Sequence, residues 1–152
     1  MIKIRKVKAE DCKDLFNWRN DETTIKMSHN SHEIPWNEHK KWFNATINDS
    51  NKLIFICEDS FNYSKIGVVR FDINKDNAFI SINLSPIMRG KGKSSLCLNA
   101  SVNKFIKLFP DVLSIHAEVK KENIVSSKLF IKCGFKLYKI DNYIYNYQYK
   151  IR

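Results

Sequence analysis

Residues 86–95 read Pro86-Ile87-Met88-Arg89-Gly90-Lys91-Gly92-Lys93-Ser94-Ser95. Before them, Ala78–Leu84 alternates Ile80, Ile82 and Leu84 with Ser81 and Asn83, the period of a strand. After them, Leu98, Val102, Phe105 and Phe109 recur on one helical face until Pro110 stops the helix. A strand feeding a glycine-rich basic turn and then a helix is an anion-binding device. In Arg89-Gly90-Lys91-Gly92-Lys93-Ser94 the glycines let backbone N–H groups approach the ligand, the helix start adds its positive dipole end, and three cations add full charge. Pyrophosphate is the expected ligand; a flexible basic turn without a ligand is the plainer alternative. The spacing matches neither GxxxxGK[ST] nor GxGxxG, so neither a P-loop nor a Rossmann fingerprint is present.

Upstream, Ile2–Lys8 alternates charged and aliphatic residues and reads as a strand, since it lacks the apolar core of a signal peptide. A helix is expected over Ala9–Asn20, with Cys12, Leu15, Phe16 and Arg19 at helical spacing. The polar stretch Asp21–Ile34 reads as loop with at most a short helical turn. A second helix starts near Pro35 and carries Trp36, Phe43 and Ile47 on one stripe. Strands at Lys52–Glu58 and Ile66–Ile73 join Ala78–Leu84 in an antiparallel meander, with Gly67 as a plain turn residue. Downstream come a strand at Val112–Val119, a helix at Asn123–Lys132, and strands at Phe135–Ile140 and Tyr143–Ile151, the last with tyrosines at every second position. The expected fold class is α/β in the α+β sense: one domain, residues 1–152, with a mostly antiparallel sheet of about seven strands flanked by four helices.

The chain has 152 residues, and 26 Lys+Arg against 16 Asp+Glu give a net charge of +10. With 43% hydrophobic residues it can bury a core, which excludes a disordered, collagen-like or disulfide-stapled chain. The longest apolar run, Leu53–Cys57, is far short of the ~20 residues that span a bilayer, so no membrane partner and a cytoplasmic location are expected. Cys12, Cys57, Cys97 and Cys133 form no CxxC pair and read as reduced core residues. His29-Asn30-Ser31-His32 invites a metal reading, but Trp36 stands where a zinc-protease helix needs its second histidine and Pro35 breaks that helix, so no metal is expected. The charge also admits a nucleic-acid-binding module. The lysines are scattered over every element, however, and no nucleic-acid motif occurs, so nucleic acid is not an expected partner.

Arg89-x-x-Gly92-x-Ser94 resembles the [QR]-x-x-G-x-[GA] signature of the GNAT superfamily of acetyl-CoA-dependent acetyltransferases, with serine as the last small residue. A second stretch, Glu118-Val119 followed by Asn123-x-x-Ser126-x-x-Leu129-Phe130-x-x-x-Gly134-Phe135, resembles that family's N-x-x-S-x-x-L-[YF]-x-x-x-G-F element. The expected order of strands and helices agrees over the whole chain. The resemblance implies that the strands at 78–84 and 112–119 splay apart and take the pantetheine arm of acetyl-CoA against the backbone of Ile82, Asn83 and Leu84. It implies that Arg89, Gly90, Lys91, Gly92, Lys93 and Ser94 hold the pyrophosphate, that Asn123 bonds the pantetheine, and that Phe130 packs near the thioester. Asn123 also reads as a helix N-cap, and the two roles are compatible.

Acetyl transfer needs a neutral amine, a donor for the developing oxyanion and a proton for the departing thiolate. The oxyanion donor implied is a backbone N–H near Leu84. Many family members have a tyrosine where this chain has Phe130, so the proton must come from Ser127, from Tyr138 or from water. Glu118, His39 and Asp72 are the candidate bases. On the acceptor side, Trp18, Arg19 and Asn20 and then His39, Lys40 and Trp42 suit an anionic acceptor with a flat ring; the tryptophans read equally as core anchors. Trp18-Arg19-Asn20-Asp21, a polar loop with Ser28, and His39-x-x-Trp42-Phe43 are similar to the N-acetyltransferases of the pseudaminic-acid pathway, which implies a UDP-linked 4-amino-dideoxy sugar as acceptor. An acetyltransferase of protein N-termini, such as those of ribosomal proteins, is the alternative, and a homodimer is admitted in either case.

Overall fold

The computed structural model describes residues 1–152. Seven strands, β1 (Ile2–Lys6), β2 (Lys52–Asp59), β3 (Lys65–Asn74), β4 (Asn77–Leu84), β5 (Ser114–Lys120), β6 (Lys136–Asp141) and β7 (Ile144–Lys150), form one sheet in the order β1-β2-β3-β4-β5-β7-β6. Every neighbouring pair is antiparallel except β4 and β5, whose connection crosses over through a helix and so returns the chain parallel. These two strands pair only at Asn77↔Ser114, Ala78↔Ile115 and Phe79↔His116. Beyond Phe79 they part, and the sheet opens in its middle.

Five α-helices flank the sheet: α1 (Cys12–Arg19, after a 3-10 turn at Ala9–Asp11), α2 (Glu22–Met27), α3 (Trp36–Ile47), α4 (Ser94–Leu108) and α5 (Ile124–Lys132). The face under α4 and α5 carries the main core, in which Phe71 stacks on Phe105 at 4.1 Å and Tyr147 stacks on Phe130 at 6.3 Å. On the other face, α1 and α3 close over β2 and β3 through Leu15, Trp18, Phe43, Ile54 and Ile56. The same face of β4 and β5 stays open, with Ser81 and Glu118 exposed. Wholly buried Asp11 fastens this layer: it accepts from Arg5 Nη1 and Nη2 (2.8 and 3.0 Å) and from the Lys8 N–H (2.7 Å), and it pairs with Lys65 at 2.8 Å.

Three expectations are corrected. The stretch 21–34 contains a full helix, α2, which buries no residue and therefore leaves no apolar period to read. The buried stripes of α1 and α3 are each turned from the expected ones. They run Leu15–Trp18 and His39–Phe43–Thr46, while Trp36 and Ile47 face outward. Gly67 lies within β3, not in a turn, where a Cβ would stand 2.8 Å from the Asn83 carbonyl oxygen.

Candidate functional site

The basic turn sits between β4 and α4. Gly90 and Gly92 adopt φ of 72° and 70°, a region that costs other residues strain, and a Cβ at either would meet nothing within 4 Å, so conformation alone calls for glycine there. α4 then starts after Lys93 with no side-chain cap and no acid in its first turn. Its first N–H groups are unspent donors at the positive end of a helix dipole. The donor set therefore fits a pyrophosphate.

Above the turn, the unpaired β5-facing edge of β4 from Ile80 to Leu84 offers backbone groups to an extended ligand, as a sheet edge offers them to an added strand. Asn123 accepts from the Ser126 N–H at 3.2 Å and so caps α5, the helix-cap role of the two expected of it. Phe130 is buried against Phe135 and Tyr147 on the core side of α5. One turn earlier, the Ser127 hydroxyl is buried without a partner.

On the open face, β3, β4 and β5 line a cavity of about 140 Å³ with His29, Arg70, Asp72, Ser81, His116 and Glu118 at its wall. A larger cavity, about 320 Å³, lies between the end of α3 and β2 and contains none of the motif residues. The register carries Glu118 to the level of Ser81, where the gap begins. Asp72 directs one oxygen to Arg70 at 3.5 Å and keeps the other buried and unpartnered. Burial lowers the pKa of His116, whose Nε2 lies 3.0 Å from Ser114 Oγ. Phe79, 41% exposed, lies 5.5 Å from the His116 ring and gives the cavity a flat apolar flank. Sequence reading missed His29, Arg70, Phe79 and His116; the alternation of β3–β5 carried the signal for the last three, but only strand order shows that they meet, and His29, in the loop after α2, left none.

The expected acceptor residues divide. Trp18 is core, and His39 is closed off between α1 and α3 with Nε2 2.9 Å from the Cys12 carbonyl oxygen. Burial lowers the His39 pKa against the raising effect of that bond, and the ring packs among Phe16, Trp36, Trp42 and Phe43, away from the cavity wall. Asn20 pins the loop by donating to the Ile34 carbonyl and accepting from its N–H. Trp42 supports the Arg70 guanidinium at 5.5 Å and reaches the cavity through it. Arg19 donates through Nη2 to the Asn30 carbonyl at 2.8 Å and keeps a buried Nη1 unspent. Tyr138 lies on β6, two strands from the gap, with its ring edge-on to His116 at 5.6 Å. It stands behind His116 and does not itself line the cavity.

A family model described as an acetyltransferase (GNAT) domain matches residues 2–136. The chain belongs to this GNAT family. A Methanocaldococcus jannaschii protein of uncharacterized function is 31% identical over 140 residues, which are 89% of this chain and 28% of that protein; the GNAT chain thus spans little more than a quarter of that relative. A solved domain from the same organism is 27% identical, with 99% of each chain covered and a TM-score of 0.85. Spermidine N-acetyltransferase from Vibrio cholerae, solved with CoA and spermine, shares the fold with a TM-score of 0.85 over 98% of this chain and 95% of that one, at 20% identity.

Proposed function

We propose that this GNAT chain transfers the acetyl group of acetyl-CoA to the amine of a nucleotide-linked amino sugar, in the manner of the pseudaminic-acid pathway enzymes that act on a UDP-linked 4-amino-dideoxy sugar. The observation that carries the reading is the uncapped, acid-free start of α4 behind two positive-φ glycines, set at the mouth of a split sheet. Bound there, acetyl-CoA supplies an activated acyl carbon.

The chain's own residues supply the rest. The exposed edge of β4 over Ile82–Leu84 aligns the pantetheine, and a backbone N–H near Leu84 receives the charge that develops on the acyl oxygen. Glu118, at the gap, removes the proton from the acceptor ammonium directly or through water, so that the N–C bond can form as the C–S bond breaks. Ser127, with a hydroxyl bonded to nothing else, is the proton donor to the thiolate. His29 and Arg70 at the cavity wall suit the acceptor's phosphates, and Phe79 takes the ring-stacking place that Trp18 cannot fill.

Asp72 and Glu118 favour a second reading, in which the two carboxylates receive a polyamine such as spermidine. Release of free thiol from acetyl-CoA, followed with a UDP-linked 4-amino sugar, spermidine and a ribosomal-protein N-terminal peptide in parallel, tests the choice. Turnover with the nucleotide sugar is expected. Turnover confined to spermidine or peptide would replace the acceptor, and absence of CoA binding would remove the enzyme reading.

A further inference from the structure

The helix without an apolar period, α2, is fastened to both lips of the gap. Thr24 Oγ1 donates to Asn83 Oδ1 of β4 at 3.1 Å, while Lys120 Nζ of β5 donates to the Lys26 carbonyl at 3.2 Å and to Ser31 Oγ at 2.9 Å. The third fastening reaches the basic turn. Arg89 donates through Nη1 to Asp21 Oδ2 and through Nη2 to Thr24 Oγ1, each at 2.7 Å. The same Asp21 oxygen accepts the Thr24 N–H at 3.2 Å and so caps α2.

Arg89 thus has both guanidinium Nη groups engaged in α2, although it is the first residue of the pyrophosphate turn. One carboxylate holds it, and a pyrophosphate, with more than one negative charge and several acceptor oxygens, is the stronger competitor for the same cation. Asp21 is also the cap of the helix that bridges the gap beside the acceptor cavity. What happens to Arg89 is therefore felt by α2.

We infer that Asp21 is a positioning residue that couples the two halves of the site: it holds Arg89 against α2 and yields it to the pyrophosphate of acetyl-CoA, which unlatches α2 from the turn. The inference rests on the acetyl-CoA reading above. Coupling of this kind is reciprocal, so Asp21 weakens CoA binding by as much as CoA weakens the Arg89–α2 latch.

The test compares Asp21→Asn, Glu22→Gln and Arg89→Ala, with CoA as the ligand and calorimetric Kd as the readout. Asparagine caps a helix as well as aspartate, so Asp21→Asn removes the charge and keeps α2. It is expected to bind CoA about three- to tenfold tighter, as release of a partly exposed charge-assisted pair implies. Glu22→Gln, which removes a neighbouring exposed charge, is expected to stay near the wild-type value, and Arg89→Ala to bind more weakly. Hydrogen exchange of the Glu22–Met27 amides is expected to quicken on CoA addition in wild type and to be insensitive to CoA in Arg89→Ala. Unchanged or weaker CoA binding by Asp21→Asn, or equal tightening by Glu22→Gln, overturns the coupling and leaves the cofactor site standing. Unchanged CoA binding by Arg89→Ala also overturns it, since Arg89 would then not be contested. Failure of the wild-type chain to bind CoA overturns the cofactor reading as well.

Discussion

Glu118 is one of two carboxylates at the cavity, and it stands where β4 and β5 part, while Asp72 lies one strand away beside Arg70. If Glu118 takes the ammonium proton, Glu118→Gln lowers kcat about a hundredfold and leaves the calorimetric Kd for CoA unchanged; turnover equal to wild type at every pH would remove it from the mechanism. His39 shows how the same residue type can be read two ways. Its spacing on the helix placed it beside Trp42, and only the packing of α1 on α3 shows its nitrogen already spent on Cys12. Arg19 went the other way, because burial left one of its N–H groups without a partner inside the protein.

At the level of elements, the pairing of β3 with β4 prepares the gap. Gly67 faces Leu84, and the close approach of the two backbones there leaves no room for a Cβ, with the Asn83 carbonyl oxygen and Leu84 Cδ2 both at 2.8 Å. Gly67→Ala is expected to cost about 1–3 kcal/mol, read as a lower urea midpoint at unchanged m-value, because backbone atoms and a packed leucine must both move. Since Leu84 is the last residue of β4, the strain also reaches the proposed oxyanion donor, and kcat should fall further than the loss of folded protein explains. A midpoint within error of wild type would show that the strands can separate freely. The helix α2 belongs to the same scale. It is held by an Asp21 cap and by polar bonds to β4, β5 and the basic turn, none of which gives a periodic signal.

Over the whole molecule, the layer of α1 and α3 is tied to the sheet by one buried carboxylate as well as by its apolar cluster. Burial alone would raise the Asp11 pKa, but the bonds from Arg5, Lys65 and the Lys8 N–H outweigh it and hold the carboxyl well below the usual range. The Asp11 contribution to stability is therefore complete above the unfolded-state pKa of about 4 and is lost as pH falls below that value toward the folded-state one. Asp11→Asn should cost about 1–3 kcal/mol at pH 7, since it removes the charge that Arg5 and Lys65 share, while Arg5 keeps Glu58 and Lys65 keeps Asp14. Urea unfolding between pH 2 and 7 should show wild-type stability falling below pH ~4 and a shallower fall in the variant. Equal slopes would place the acid sensitivity elsewhere. Strand alternation, helix periods and the two motifs are local properties, so the seven strands, the helices other than α2, the family and the glycine-rich basic turn were legible in the sequence. Which side chains share the cavity depends on strand order and register, which bring Asp72, His116 and Glu118 together from distant positions. Which cation is already paired is likewise a matter of space: Arg89 and Asp21 are 68 residues apart in the chain and 2.7 Å apart in the fold. Those decisions belong to tertiary structure, because contact between distant residues leaves no periodic trace in a single sequence.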